Sequence, residues 1–216
     1  MIAAEPTDHD LLLAWRDGDA LAGDLLVRRH FDAIFGFLRA KAPEHVDELI
    51  QRTFLGCTEA VDRIDEDLNF RAYLFGIARR QLIYHFRRSR REAARFDPML
   101  ESVLDAGGTP SRVVAMRQEE RVVLDALNAL PLDLQIILEL HYWEGMAVGE
   151  IGQVLEVPAG TVKSRLFRAR ERLRELLGTH GGADDDPTAD SPGAAPELRA
   201  LQRSLRPDGG DPPSTA

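Results

Sequence analysis

Between Val157 and Arg174 the chain places six basic residues, Lys163, Arg165, Arg168, Arg170, Arg172 and Arg174. The protein as a whole carries a formal net charge of −9. Positive charge gathered on one segment of an acidic chain suits a polyanion partner. A second basic block runs from Arg71 to Arg95, with eight arginines against Glu92. There the arginines are mixed with Tyr73, Phe75, Tyr84 and Phe86. Arginines that follow a phosphate backbone and aromatics that stack on bases suit an unpaired nucleic-acid strand. A third block has the opposite sign: Glu44 to Asp67 holds eight acids against Arg52 and Arg63. The plain alternative is that each block is a solvated helix face. Enzyme chemistry finds no support. The histidines at 9, 30, 45, 85, 141 and 180 are dispersed, and no glycine-rich phosphate loop or metal-ligand spacing occurs. Cys57 is the only cysteine, so an internal disulfide and a cysteine-rich zinc site are both excluded. No cofactor is expected.

The elements that carry these blocks read as helices throughout. Leu11, Leu12, Trp15, Leu21, Leu25, Leu26, Phe31, Ile34, Phe35 and Leu38 recur at threes and fours, and Pro43 closes that segment. Val46, Leu49, Ile50, Phe54 and Leu55 mark a second helix, and Tyr73, Leu74, Ile77, Ala78, Leu82 and Phe86 a third. No alternating strand pattern is present. Residues 7–92 therefore form one all-helical domain. Pro98, Gly107, Gly108 and Pro110 break the pattern over a flexible linker at 93–111. A second helical domain spans 112–178. Residues 179–216, rich in Asp, Pro and Gly, read as a disordered tail. No apolar run reaches the ~20 residues needed to cross a bilayer, and the N-terminus lacks the pattern of a signal peptide. These features fit a cytoplasmic protein with no membrane insertion.

In the second domain, Val148, Ile151, Val154 and Leu155 mark a short amphipathic helix. Val162, Leu166, Ala169, Leu173 and Leu176 mark the next, and only a tight turn separates them. Pro158 suits the first helical position, and Gly152 the close crossing of two helices. This is a helix-turn-helix pattern, in which the second helix enters the DNA major groove. The face carrying Thr161, Lys163, Ser164, Arg165, Arg168 and Arg172 would meet the duplex. Arginine can pair with guanine there, while lysine and serine suit phosphates. An ordinary helical hairpin with a basic surface is the alternative.

The segment "LPLDLQIILELHYWEGMAVGEIGQVLEVPAGTVKSRLFRARERL" resembles region 4 of bacterial sigma factors, especially the extracytoplasmic-function (ECF) group. "VDELIQRTF" is similar to the region 2 helix that docks on RNA polymerase, and "FRAYLFGIARRQLIYHFRRSRR" to the promoter-melting segment. The resemblance covers about residues 8–177. It implies core RNA polymerase and promoter DNA as partners, and allows an anti-sigma factor. It assigns polymerase binding to Asp47, Glu48, Gln51 and Phe54. Single-strand contacts in the −10 element fall to Asn69, Phe70, Tyr73, Arg79, Arg80, Tyr84, Arg87 and Arg88. Duplex contacts in the −35 element fall to Thr161, Lys163, Ser164, Arg165 and Arg168. "DEDLNF", Asp65 to Phe70, corresponds to the loop beside a pocket for a flipped base.

Four positions depart from the family pattern. The usual turn glycine is Glu156. A non-glycine residue in a left-handed turn costs roughly 1 kcal/mol, so a different turn geometry is expected. A common arginine is Gln135, which removes one phosphate contact. A usual tryptophan is Thr58, and a frequent asparagine is Arg80, so promoter preference does not carry over. Two rival functions use the same residues: a dimeric helix-turn-helix regulator without polymerase, and a module whose basic helices bind an acidic protein.

Overall fold

The computed structural model describes residues 5–64, 69–96 and 118–178. The tail at 179–216, the linker from 97 to 111 and the loop residues 65–68 lie outside the described residues. Among the described residues the secondary structure is entirely helical, and the chain divides into two compact units between Glu101 and Ser102.

The first unit contains α1 (Asp8–Arg16), α2 (Ala20–Arg39), α3 (Val46–Ala60) and α4 (Phe70–Phe96). The apolar repeat up to Pro43 is thus two helices, split where Gly18 takes φ 97°. Local capping explains the starts of α1, α2 and α4. Thr7 Oγ1 accepts the Asp10 N–H and the Asp10 carboxylate accepts the Thr7 N–H, a reciprocal cap on α1. Asp19 Oδ1 accepts the N–H groups of Leu21 and Ala22 at the start of α2. Asn69 Oδ1 accepts the Ala72 N–H at the start of α4. α1 lies close on α2 because Gly23 has no side chain; a Cβ there would sit 2.7 Å from the Trp15 indole. The core is built from Leu12, Leu26, Ile34, Phe37, Leu49, Leu74, Phe75 and Leu82, with Phe37 and Phe75 edge to face at 5.4 Å. α4 runs four residues past 92, through a sequence of good helix formers, Arg91 to Phe96.

The second unit contains α5 (Gln118–Asn128), α6 (Leu132–Tyr142), α7 (Val148–Leu155) and α8 (Ala159–Leu177). Leu130, Ile136, Ile137, Ile151, Val162, Leu166 and Ala169 fill its core. Gln135 Nε2 donates to the carbonyls of Asn128 and Leu130, so this side chain closes the end of α5. The Glu150 carboxylate accepts the Ala147 N–H at the start of α7. Gly178, at φ 67°, ends α8.

Candidate nucleic-acid interface

The turn between α7 and α8 keeps a left-handed residue, with Glu156 itself at φ 56° and ψ 44°. The expectation of a different geometry is corrected. The Val157 N–H donates to the Gly152 carbonyl at 3.0 Å, and burial of Ile151, Leu155 and Val162 on either side anchors the turn. Gly152 is required by this closure rather than by a helix crossing. A Cβ there would lie 2.9 Å from the Val157 carbonyl oxygen. Pro158 occupies the position just before α8, one residue earlier than the spacing suggested.

α8 buries Val162, Leu166, Ala169 and Leu173. Thr161, Arg165, Arg168 and Arg172 follow at four, three and four residues and form one edge. Lys163, Ser164 and Phe167 occupy the adjoining outward strip. Arg168 and Ser164 are exposed, and Thr161, Lys163 and Arg165 are half-buried. The Ser164 hydroxyl donates to the Gly160 carbonyl at 3.0 Å. Among the described residues, no acid pairs with Lys163, Arg165 or Arg168. The other three cations are engaged within the unit. Arg170 is 6% exposed, donates through Nε to the Tyr142 hydroxyl at 3.0 Å and lies over that ring. Arg172 pairs with Glu175 at 2.6 Å, and Arg174 pairs with Glu171. Phe167, absent from the residues the sequence pattern marks, is 36% exposed between Lys163 and Arg168. Its position four residues after Lys163 and three after Ser164 is the signal that could have found it.

On α4, Tyr73, Arg80, Tyr84, Arg87 and Arg91 recur at seven, four, three and four residues and share one face. Arg80, Tyr84, Arg87 and Arg88 are exposed, Tyr84 by 57%. Tyr73 is half-buried, and burial pushes its hydroxyl pKa up. Arg79 is also half-buried and points away from this row. Two residues expected at the strand are engaged within the unit. Phe70 is 3% exposed and packs on the His30 ring at 5.6 Å, so it belongs to the core and offers no face to a base. The Asn69 side chain caps α4. Phe86 is half-buried, while Phe75 is the aromatic fully enclosed in the core.

On α3, Asp47, Glu48 and Gln51 are exposed, and Glu48 pairs with Arg52 at 2.6 Å. Phe54 is half-buried and stacks on Phe31 at 5.9 Å with rings nearly parallel. Phe31 and Leu55 are the more exposed apolar groups beside this acidic patch, although the sequence pattern places both with the core. Burial pushes the Cys57 thiol up to about 12, which leaves it protonated and inert. Among the described residues, no three His, Cys, Asp or Glu side chains could together hold a metal ion. No described helix is long and apolar enough to cross a membrane.

Fold and surface together define a helix-turn-helix protein with a second, arginine- and tyrosine-faced helical unit. The Sigma-70 region 2 family model matches residues 26–92, and the Sigma-70 region 4 model matches residues 120–173. The ECF RNA polymerase sigma-E factor of Haemophilus influenzae is 28% identical over 185 residues, covering 82% of this chain and 98% of that protein. The ECF RNA polymerase sigma-E factor of Escherichia coli K12 is 27% identical, covering 77% and 92%. Among solved structures, CnrH in complex with the cytosolic domain of CnrY aligns with TM-score 0.57 at 28% identity, over 79% of this chain and 97% of that one. The sigma factor RpoE of Bartonella quintana, solved with the anti-sigma factor NepR, shares the fold. It aligns with TM-score 0.60 at 22% identity, over 73% of this chain and 98% of that one. The chain belongs to the sigma-70 family, in its ECF group. Sigma factors are transcription-initiation factors, not enzymes in themselves.

Proposed function

We propose that this protein binds core RNA polymerase and directs promoter-specific initiation, reading −35 DNA as duplex with α8 and opening the −10 element with α4. The observation that carries the proposal is the outer surface of α8. Lys163, Arg165 and Arg168 have no acidic partner among the described residues, and an exposed phenylalanine, Phe167, lies between Lys163 and Arg168. Cations attract the backbone, arginine can pair with guanine, and an aromatic can contact a thymine methyl group. The first turn of α8 holds no acidic residue, so its N-terminus can approach a phosphate without repulsion. Arg165, Arg168 and Phe167 are the base-facing candidates, with Thr161, Lys163 and Ser164 along the backbone. On α4, Tyr73, Arg80, Tyr84, Arg87 and Arg88 supply stacking beside positive charge. Asp47, Glu48, Gln51 and Phe54, with Phe31 and Leu55, offer polar groups around an apolar centre, as a protein interface requires.

The protein would act in the cytoplasm with polymerase. An anti-sigma factor is a further partner in this proposal, since the Bartonella quintana sigma factor RpoE has been solved with one. Mixing the protein with purified core polymerase tests the central claim. A one-to-one complex that starts transcription at a defined promoter is expected. Binding to duplex DNA as a dimer, with no co-elution with core, would instead identify a conventional regulator.

A further inference from the structure

His30 is 7% exposed, and its Nε2 hydrogen-bonds the Asp8 carboxylate at 2.6 Å. The other Asp8 oxygen accepts from Arg29 at 2.7 Å, and Arg29 also reaches the Pro6 carbonyl at 2.9 Å. Burial opposes ionisation of Asp8, but the bonds from His30 and Arg29 outweigh it and hold the carboxyl below its ordinary pKa. Short contacts between a buried imidazole and a carboxylate fix the orientation of the ring. That ring carries Phe70, the first residue of α4, at 5.6 Å. Next to Phe70, Asn69 caps the helix, and its carbonyl accepts the Tyr73 N–H at 3.0 Å. Tyr73 begins the row of α4 described above. The family model starts at residue 26, so α1 and Asp8 stand outside the matched segment, while His30 and Phe70 stand within it.

We propose that Asp8 and His30 are positioning residues for the strand-separating surface: α1 braces the first turn of α4 through the chain Asp8–His30–Phe70. The inference rests on reading α4 as the single-strand helix. A surface that stacks bases works only if its first turn is held in place, and side chains locked by packing and outer hydrogen bonds provide that hold. Neither residue needs to touch DNA.

The test uses holoenzyme assembled from the full chain and core polymerase. The probe is a fluorescent 12-nucleotide strand selected from random single strands by the wild-type holoenzyme. Asp8→Ala and His30→Ala should each weaken its binding about 5-fold or more, the lower end of typical site-to-site coupling. Affinity for core should stay within about twofold. Asp8→Asn, which keeps an acceptor for His30, should restore most of the loss. Asp8→Ala should add nothing in the His30→Ala background, because the two act through one chain. Arg29→Ala, which removes the other Asp8 contact, should leave strand binding unchanged. If His30→Ala does not fold, the Asp8→Ala and Asp8→Asn pair decides alone. Folded Asp8 variants that bind the strand like wild type would overturn the inference, as would losses that multiply. A wild-type holoenzyme that selects no strand would overturn the reading of α4, and this inference with it.

Discussion

On α8, Arg170 is buried against Tyr142 and Arg172 and Arg174 are paired with Glu175 and Glu171. On α4 no arginine of the Arg80, Arg87 and Arg88 set is buried; all three are exposed, as Arg172 is on α8, and Tyr84 stands among them. The two helices have similar basic content, yet they offer different surfaces. α8 keeps a short cluster at its N-terminal half, from Lys163 to Arg168, that includes Phe167. α4 keeps a longer row, in which tyrosine and arginine share one face for several turns. A short cluster fits a groove of fixed width, whereas a long row can follow a strand. The contrast supports a division of labour between duplex reading and strand holding.

The greatest loss is expected on the structural side of the contrast. Arg170→Ala should lower the stability of the second unit by about 2–4 kcal/mol, because it removes a buried side chain and leaves the Tyr142 hydroxyl unmatched. Thermal unfolding followed by circular dichroism measures this. A variant that melts like wild type but loses duplex affinity would move Arg170 to the DNA side and remove the difference between the two helices.

Arg87→Ala combined with Arg88→Ala should reduce open-complex formation much more than core binding. Permanganate reactivity of unpaired thymines reports it. Strand binding should also lose salt dependence, the log–log slope becoming shallower by about 1.4, at ~0.7 per phosphate contact on a single strand. An unchanged slope with normal opening would show that α4 does not track the backbone.

Within α8 the exposed and the paired cations should also separate. Phe167→Ala and Arg168→Ala should each cost about 1–3 kcal/mol of duplex binding, concentrated at one or two base positions. Arg172→Ala, which loses an exposed ion pair, should change stability by less than ~1 kcal/mol. Titrations against a set of single-base promoter variants separate these outcomes. Equal loss on all sequences would make Arg168 a phosphate contact.

A smaller change is expected at the turn. Glu156→Gly should stabilise the second unit by about 1 kcal/mol, since glycine takes φ 56° without steric cost. A lower melting temperature would mean that the Glu156 side chain contributes more than its backbone conformation costs.

Much of this architecture is legible in the order of the residues. The helical segments and the turn from Leu155 to Pro158 follow from residues within a few positions of each other, whereas the break at Gly18 and the caps at Asp19 and Asn69, though local, are hidden in an apolar repeat that runs on to Pro43 and in a loop. The site is legible only in outline. Arg165, Arg168, Arg87 and Arg88 stand out because charge spacing is visible along the chain. Phe70, placed on the DNA by resemblance, belongs to the core because the His30 ring covers it. Phe167 shares the helical spacing of Lys163 and Ser164, but that an aromatic there stays uncovered depends on which side of α8 packs against α6 and α7.

Helical class, the tight turn and the charge of each segment are local properties of the chain. Periodicity, capping and turn chemistry act over one or two turns, so they need no distant partner. Which cations and rings remain at the surface is decided by tertiary packing. Arg168 and Arg170 are two residues apart on one helix, and Tyr142, 28 residues before Arg170, separates their fates. Phe31 and Phe54, on different helices, form a stacked pair that no local pattern encodes. Burial is set by what another helix brings alongside, and that depends on packing across the whole unit.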